Sequence, residues 1–234
     1  MKVIGIIGAM DEEVSRLKEN MQVKKVEKKA CMEFFEGDLA GKDVVIVRSG
    51  IGKVNAGICT QILVDDFGVD AVINTGVAGS LRNEINIGDI VLSTDALQHD
   101  MDATGFGYEP GVIPRMEDSV FVADEKLRSL AKEVNESVNT EIATFEGRVV
   151  SGDQFISDHD KKEQLVNTFQ GYCTEMEGAA IAQVCYLNQI PFLIIRAISD
   201  KADNSATMDY GEFEVKAIEH TVKLLTGMMD KLGA

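Results

Sequence analysis

The chain has 234 residues, 45% hydrophobic and 26% charged, an ordinary globular composition long enough for one sizeable core. Its 39 acidic and 23 basic residues give a formal net charge of −16. That excess disfavours a nucleic-acid or anionic-membrane surface, since both need clustered Lys and Arg.

"KVIGIIG" is a continuous apolar run ending in glycine and reads as a buried strand. "DEEVSRLKENM" follows with Val14, Leu17 and Met21 at helical spacing. "FFEGDLAGKDVVIVRSG" reads as a hairpin whose second strand is Val44–Val47. "KVNAGICTQILVDDFG" is helical, with Val54, Ile58, Ile62 and Leu63 on one face and Gly68 as its stop. "DAVINTGVAGSL" is a buried strand entering a glycine-rich turn, and "IGDIVLSTDAL" is another strand. After the irregular "QHDMDATGFGYEPGVIPR" the pattern predicts a helix near Lys126–Asn135, then a strand and loop at "EGRVVSGDQFI". "DKKEQLVNTF" and "TEMEGAAIAQVCYLNQI" read as helices, and "PFLIIRAISD" as a buried strand. The last element, Tyr210 to Leu232, puts Tyr210, Phe213, Ala217, Ile218, Val222, Leu225, Met229 and Leu232 on one helical face.

Strands rich in Val and Ile alternate with helices, which predicts an α/β domain with a mainly parallel sheet covered on both faces. No repeat, low-complexity tract or long linker divides it, and the three prolines are isolated, so residues 1–234 are expected to form one domain. The N-terminal apolar run is too short for a secretory core or a membrane span, and a cytoplasmic protein is expected. Cys31, Cys59, Cys173 and Cys185 show no CxxC spacing and read as buried reduced thiols.

In such sheets ligands bind at the carboxyl ends of the strands. The segments of interest are therefore Gly8–Glu13, Ser49–Lys53, Thr75–Ser80, Ser151–Ile156 and Arg196–Asp200. None is a phosphate cradle: "GIGKV" lacks P-loop spacing and there is no GxGxxG. Glu13, on the first turn after a strand, suits either a helix dipole or a ligand. Asp200, after a run of mostly apolar strand residues, is either an N-cap with Ser199 as rival or an acid at the rim of the sheet. Arg196 lies inside that run and needs an acidic partner.

Glu175 and Glu177 flank Met176. Thr174-x-x-Glu177 matches a capping box. Within a helix the two glutamates would sit roughly 200° apart, whereas in an extended segment they share a face. Spacing leaves both readings open. "HDMD" at residues 99–102 reads as polar hydrogen bonding, and no metal is expected. No Ser-His-Asp or Cys-His arrangement stands out.

The segments "IGIIGAMDEEV", "SGIGKVNAG", "INTGVAGSL", "HDMDATGFGYEPG", "SGDQFI", "TEMEGAAIA" and "IIRAISDKAD" occur in one order over nearly the whole chain. Together they closely resemble the bacterial 5′-methylthioadenosine/S-adenosylhomocysteine nucleosidases of the nucleoside phosphorylase superfamily. The resemblance implies a three-layer α/β/α sandwich with a twisted mixed sheet, normally a homodimer. It implies hydrolysis of the adenine–ribose N-glycosidic bond of 5′-methylthioadenosine, S-adenosylhomocysteine and 5′-deoxyadenosine, without cofactor or metal. Methionine salvage and supply of the autoinducer-2 precursor are the pathway roles it implies.

By the same resemblance, Glu13 is the general base toward water, and Asp200, with Ser199 beside it, the general acid at adenine N7. Glu177 matches the carboxylate on the ribose hydroxyls, and Met176 packs on the sugar. Phe155 resembles the ring that stacks on adenine, Ile156 supplies backbone contacts to the base, and Gly79 and Ala78 line the base side. Met10, Ile51, Phe106 and Tyr210 resemble the pocket for the 5′ substituent, with Phe106 coming from the second subunit. Glu175 is read as support for this stretch. One departure is Val77, where some members have Ser, which removes one hydrogen bond to ligand or water.

These residue types suit the reaction. Cleavage builds positive charge on the sugar and negative charge on the departing base, work divided between carboxylic acids and carboxylates. The acid must hold a proton although free Asp titrates near about 3.9, so a raised pKa is expected for Asp200 in the liganded site. Three rivals remain: a purine nucleoside phosphorylase, a non-catalytic nucleoside-binding module, and a hydrolase of another nucleoside such as futalosine. The first needs an anion site, which Glu13 and its acidic neighbours oppose. The second is disfavoured by the full set of acid, base and ribose carboxylate.

Overall fold

Apolar β-branched runs become the central strands of one mixed sheet. The computed structural model describes residues 1–203 and 206–233, and of residues 207–212 only the helical backbone. The first half of the chain gives β1 (Val3–Gly8), α1 (Asp11–Asn20), β2 (Gln22–Lys29), β3 (Met32–Leu39), β4 (Lys42–Arg48), α2 (Lys53–Phe67), β5 (Ala71–Ser80) and β6 (Ile90–Gln98). The second half gives a short 3₁₀ turn (Thr104–Phe106), β7 (Phe121–Val122), α3 (Glu125–Val138), β8 (Thr144–Ser151), α4 (His159–Phe169), β9 (Cys173–Glu175), α5 (Gly178–Asn188), β10 (Phe192–Asp200) and α6 (Ala206–Gly233).

The strands run in the order β10-β6-β8-β9-β5-β1-β4-β3-β2. β1 is parallel to β4 and β5, and β10 is parallel to β5. β10 also pairs antiparallel with β6. That double pairing closes β5, β9, β8, β6 and β10 into a ring, while β1, β4, β3 and β2 continue as an open twisted strip. β5 and β10 are buried at every position, which is why both read as unbroken apolar runs. Helices cover both sides: α6 packs on α1 and α3, and α2 packs on α5. One large apolar cluster joins sheet and helices, and a smaller one, with Leu81, Leu97, Val150, Ile156, Leu165 and Phe169, lies beside α4.

Several expectations need correction. β2, "QVKKVEKK", was not legible as a strand, because it is a largely exposed edge whose lysines carry no apolar alternation. "TEMEG" is not helical from Thr174. Cys173–Glu175 form β9, paired with β5 and β8, and α5 begins only at Gly178. On α2 the buried face is Ala56, Cys59, Thr60 and Leu63, while Val54 and Ile58 are exposed. Cys31 is exposed in the β2–β3 turn; the other three cysteines are buried, and burial pushes their thiol pKa values up. The terminal helix starts at Ala206, and its face from Ala217 to Met229 is buried as the spacing predicts. The Tyr210 side chain lies outside the described residues. Among the described residues no helix is long and apolar enough to cross a membrane.

Phe34 anchors the open end of the sheet: it is fully buried, with its ring stacked on Phe67 at 4.9 Å. Phe34→Ala should cost about 3–5 kcal/mol of stability, read as a lower urea midpoint at unchanged slope.

Candidate active site

The strand ends that the sequence singles out converge on a cavity of about 340 Å³. Ala9, Met10 and Glu13 enter it from the β1–α1 junction, Ile51 from the β4–α2 loop, and Val77, Ala78 and Gly79 from β5. Phe155 follows β8, Thr174 to Glu177 span the end of β9 and the start of α5, and Ser199 and Asp200 end β10. A small recess opens from this cavity between Gly79, Phe155, Ile156, Met176 and Asp200. Ile156, expected in the site, lines only that recess.

Asp200 is buried at the mouth of β10, past a register shift between Ile198 and Asp200. Ser199 Oγ donates to Asp200 Oδ2 at 2.9 Å, and the Ala202 amide donates to Oδ1 at 2.8 Å. Opposite it in the ladder stands Gly79, where an added Cβ would lie 2.7 Å from Asp200 Oδ1. Glycine is therefore required by the close approach of the acid rather than by a turn.

Glu13 folds back over the start of α1. Its Oε2 accepts from the amides of Ala9 at 2.6 Å and Met10 at 3.1 Å, and its Oε1 accepts from the Val77 amide at 3.2 Å. Burial raises its pKa, against the opposing pull of Arg196 and these three amides. An added Cβ on Gly76 would meet both Arg196 Nη1 and Glu13 Oε1, so the two side chains converge over that glycine.

Arg196 is fully buried and resolves the ion-pair expectation. Its Nη2 donates to Glu175 Oε2 and, at 2.6 Å, to Asn74 Oδ1, while Glu177 Oε2 stands 3.7 Å away. Burial opposes the Arg196 charge, but Glu175, Glu177 and Glu13 together raise its pKa further. Glu177 Oε1 accepts from the Gly52 amide at 2.8 Å, which ties α5 to the β4–α2 loop. Burial first, then the adjacent Glu175 charge, pushes the Glu177 pKa up to about 7. The capping-box reading fails here. The amides of Glu177 and Gly178 end on Glu175 Oε2 at 3.1 and 2.8 Å, and Thr174 Oγ1 has no partner among the described residues.

Phe106 is 87% exposed on its 3₁₀ turn and does not line this cavity. The "HDMD" carboxylates are engaged elsewhere: Asp100 accepts from Lys53 Nζ at 2.6 Å and from the Asp153 amide at 2.9 Å, and Asp102 from Thr104. Among the described residues no group of three or more His, Cys, Asp or Glu is placed to hold a metal ion. Asn74 escaped sequence reading as a site residue, and Ser151, inside a strand-end segment of interest, was given no role of its own. The signal for Asn74 was a polar side chain inside an apolar strand, and for Ser151 its place at a strand end.

The family model described as the Phosphorylase superfamily matches residues 3–230, which places the α/β fold and its strand-end cavity in that class. A 5′-methylthioadenosine/S-adenosylhomocysteine nucleosidase of Shewanella sediminis is 43% identical over 98% of this chain and 99% of its own length. The crystal structure of the Neisseria meningitidis nucleosidase of that name, in complex with methylthio-immucillin-A, superposes with a TM-score of 0.94 at 37% identity, covering 99% of this chain and all of the other. A futalosine hydrolase of Helicobacter pylori superposes with a TM-score of 0.92 at 35% identity, covering 98% of each chain. The chain belongs to the 5′-methylthioadenosine/S-adenosylhomocysteine nucleosidase family.

The raised Glu177 pKa has a measurable sign. Between about 4.5 and about 7 the folded protein holds a proton that the unfolded chain has released, so this group's contribution to stability falls as pH rises through that window. Glu177→Gln removes the effect. Relative to the wild type, the variant should gain stability, by roughly 1–3 kcal/mol, between pH about 5 and about 8. Urea unfolding at the two pH values reads this, and an equal difference at both would show that Glu177 does not titrate there.

Proposed function

We propose that this protein hydrolyses the adenine–ribose N-glycosidic bond of 5′-methylthioadenosine, S-adenosylhomocysteine and 5′-deoxyadenosine. The products are adenine and the 5-thio-substituted ribose, or 5-deoxyribose. The observation that carries this reading is one cavity holding four buried carboxylates, with Asp200 and Glu175 at the recess and Glu13 and Glu177 outside it. The side of the cavity lined by Ala78, Gly79, Phe155 and Asp200, which the recess with Ile156 extends, is the place for a flat base. Its acid, Asp200, protonates adenine N7 as the C1′–N9 bond breaks and the bonding electrons leave with the base. Glu177 grips a ribose hydroxyl and stabilises the oxocarbenium character of the sugar, with Met176 packed against it. Glu13 takes a proton from water, whose oxygen bonds to C1′. Met10 and Ile51 line the same cavity and face the 5′ substituent.

No Lys or Arg lines the cavity among the described residues, and the Arg196 charge is engaged by Glu175. A phosphate nucleophile would meet carboxylates and no available cation, which favours water over phosphorolysis. The family relatives named as nucleosidases point the same way, and the Helicobacter futalosine hydrolase makes futalosine the second substrate to test. Methionine salvage is the pathway this chemistry serves. Residues 1–234 act as one nucleosidase domain, a reading supported by the single continuous sheet.

We infer that the working unit is a homodimer. Phe106, Val54, Ile58 and Ile51 are apolar and at least 44% exposed, on or next to the loops that carry the site. In the dimer Phe106 closes the 5′ pocket of the partner subunit; Tyr210 is assigned to the same pocket by the family resemblance alone. Phe106→Ala should raise KM for 5′-methylthioadenosine about tenfold or more while kcat for 5′-deoxyadenosine changes less. Unchanged kinetics with every substrate would remove Phe106 from the site.

Adenine release from a panel of 5′-substituted adenosines and futalosine, with and without phosphate, tests the reaction. Release should not depend on phosphate. Asp200→Asn and Glu13→Gln should each lose about 10²–10⁴-fold in kcat. Near-normal turnover of either would refute its assigned role.

A further inference from the structure

Glu175 is the carboxylate in the cavity wall to which the proposed chemistry gives no task. It is buried, and its oxygens are fully engaged. Oε2 accepts from Arg196 Nη2 and from the amides of Glu177 and Gly178. Oε1 accepts from Ser151 Oγ, and that hydroxyl in turn accepts from the Ala179 amide at 2.7 Å. Three successive amides at the start of α5 therefore end on Glu175 or on the hydroxyl it holds. This leaves the side chain of Glu177, the N-cap residue of that helix, without a capping duty.

Two glutamates compete for one guanidinium nitrogen. Glu175 is in contact with Arg196 Nη2, and Glu177 Oε2 waits at 3.7 Å. An arginine facing a single carboxylate closes on it in a short, charge-assisted pair that uses up the oxygens. With Glu175 in place that contact is already taken.

We propose that Glu175 is a positioning residue: by occupying Arg196 and fixing the first turn of α5, it keeps a Glu177 oxygen directed into the cavity for the sugar hydroxyls. The proposal rests on the reading of Glu177 as the ribose carboxylate. The charged and titratable groups that bear on Glu175 are Arg196 on β10, Glu177 at the start of α5, Cys173 on β9 and His99 after β6, with Glu13 on α1 sharing the Arg196 charge. Among them only Arg196 is a cation in contact, so loss of the Glu175 charge passes directly to the Arg196–Glu177 distance.

The test compares Glu175→Gln, Glu175→Asp and Glu177→Gln in the full chain, with kcat and KM for 5′-methylthioadenosine across pH and the Kd for adenine. In Glu175→Gln, KM should rise about tenfold or more. The acid limb of kcat/KM should move about one unit lower, because a like charge is gone and Arg196 closes on Glu177. Adenine Kd should change less than KM, since Glu175→Gln alters one wall of the base recess but leaves Phe155, Ile156 and Asp200 in place. Glu175→Asp keeps the charge but shortens the arm, so the acid limb should stay while KM still rises.

A Glu175→Gln enzyme with lower Tm but wild-type KM and pH profile would mean a structural role only and would overturn the proposal. If Glu175→Gln does not fold, Glu175→Asp decides, and a KM within about twofold of wild type overturns it. Normal kinetics of Glu177→Gln would remove the ribose assignment itself, and the proposal with it. Impaired Glu177→Gln beside a normal Glu175→Gln would remove the proposal alone.

Discussion

One buried cation among three carboxylates holds this molecule's business end together. Taking a guanidinium out of water is expensive, and leaving it without a partner by removing one member of such a pair typically costs about 3–5 kcal/mol. Arg196 meets that constraint with Glu175 in contact, Asn74 beside it and Glu177 close by. The result ties β10 to β9 and β5, and through Glu175 to the first turn of α5. Charge balance follows from it. Burial pushes both Glu177 and Glu13 above their ordinary range, against the Arg196 charge and the amides that each accepts from, and for Glu177 the adjacent Glu175 adds to the rise. A proposed base with a raised pKa is what a proton abstraction near neutral pH needs.

The closed ring of strands explains how residues from far along the chain come together. Because β10 pairs with both β5 and β6, the carboxyl ends of β5, β8 and β10 and the short β9 face one space. Gly79, Ser151, Glu175 and Asp200 are supplied by those four strands, and Glu13 arrives from the neighbouring β1–α1 turn. The bulge before Asp200 and the missing side chain at Gly79 are complementary details: one moves the acid, the other makes room for it. Val77 fits the same picture. Its amide serves Glu13, so the position keeps its backbone contribution whatever side chain it carries.

The rim of the cavity is apolar where the interior is charged. Ile51 at the cavity and the first turns of α2, together with Phe106 away from it, expose side chains that a lone subunit would gain by covering. The proposed dimer would do this, and would close over the 5′ end of the substrate, excluding water from all but the attacking position. The acidic surface, with a net charge of −16, is consistent with a small neutral or zwitterionic substrate and offers nothing to a polyanion.

Pattern in the sequence was enough to read the α/β alternation, the strand-end segments and, through seven ordered motifs, the family, because burial of a sheet on both faces leaves unmistakable Val- and Ile-rich runs. It could not show β2, whose exposed lysines carry no periodic signal, or that Val54 and Ile58 lie outside the core, since helical spacing marks a face without saying what covers it. At "TEMEG" the ambiguity was physical. A capping box and an extended pair of glutamates make the same letters, and only pairing of β9 with β5 and β8 selects between them. Folding thus separated two carboxylates that look alike in the chain. Glu175 became the partner of Arg196 and the cap of α5, and Glu177 was left facing the cavity, because distance to an arginine 21 residues further on is a property no local spacing records.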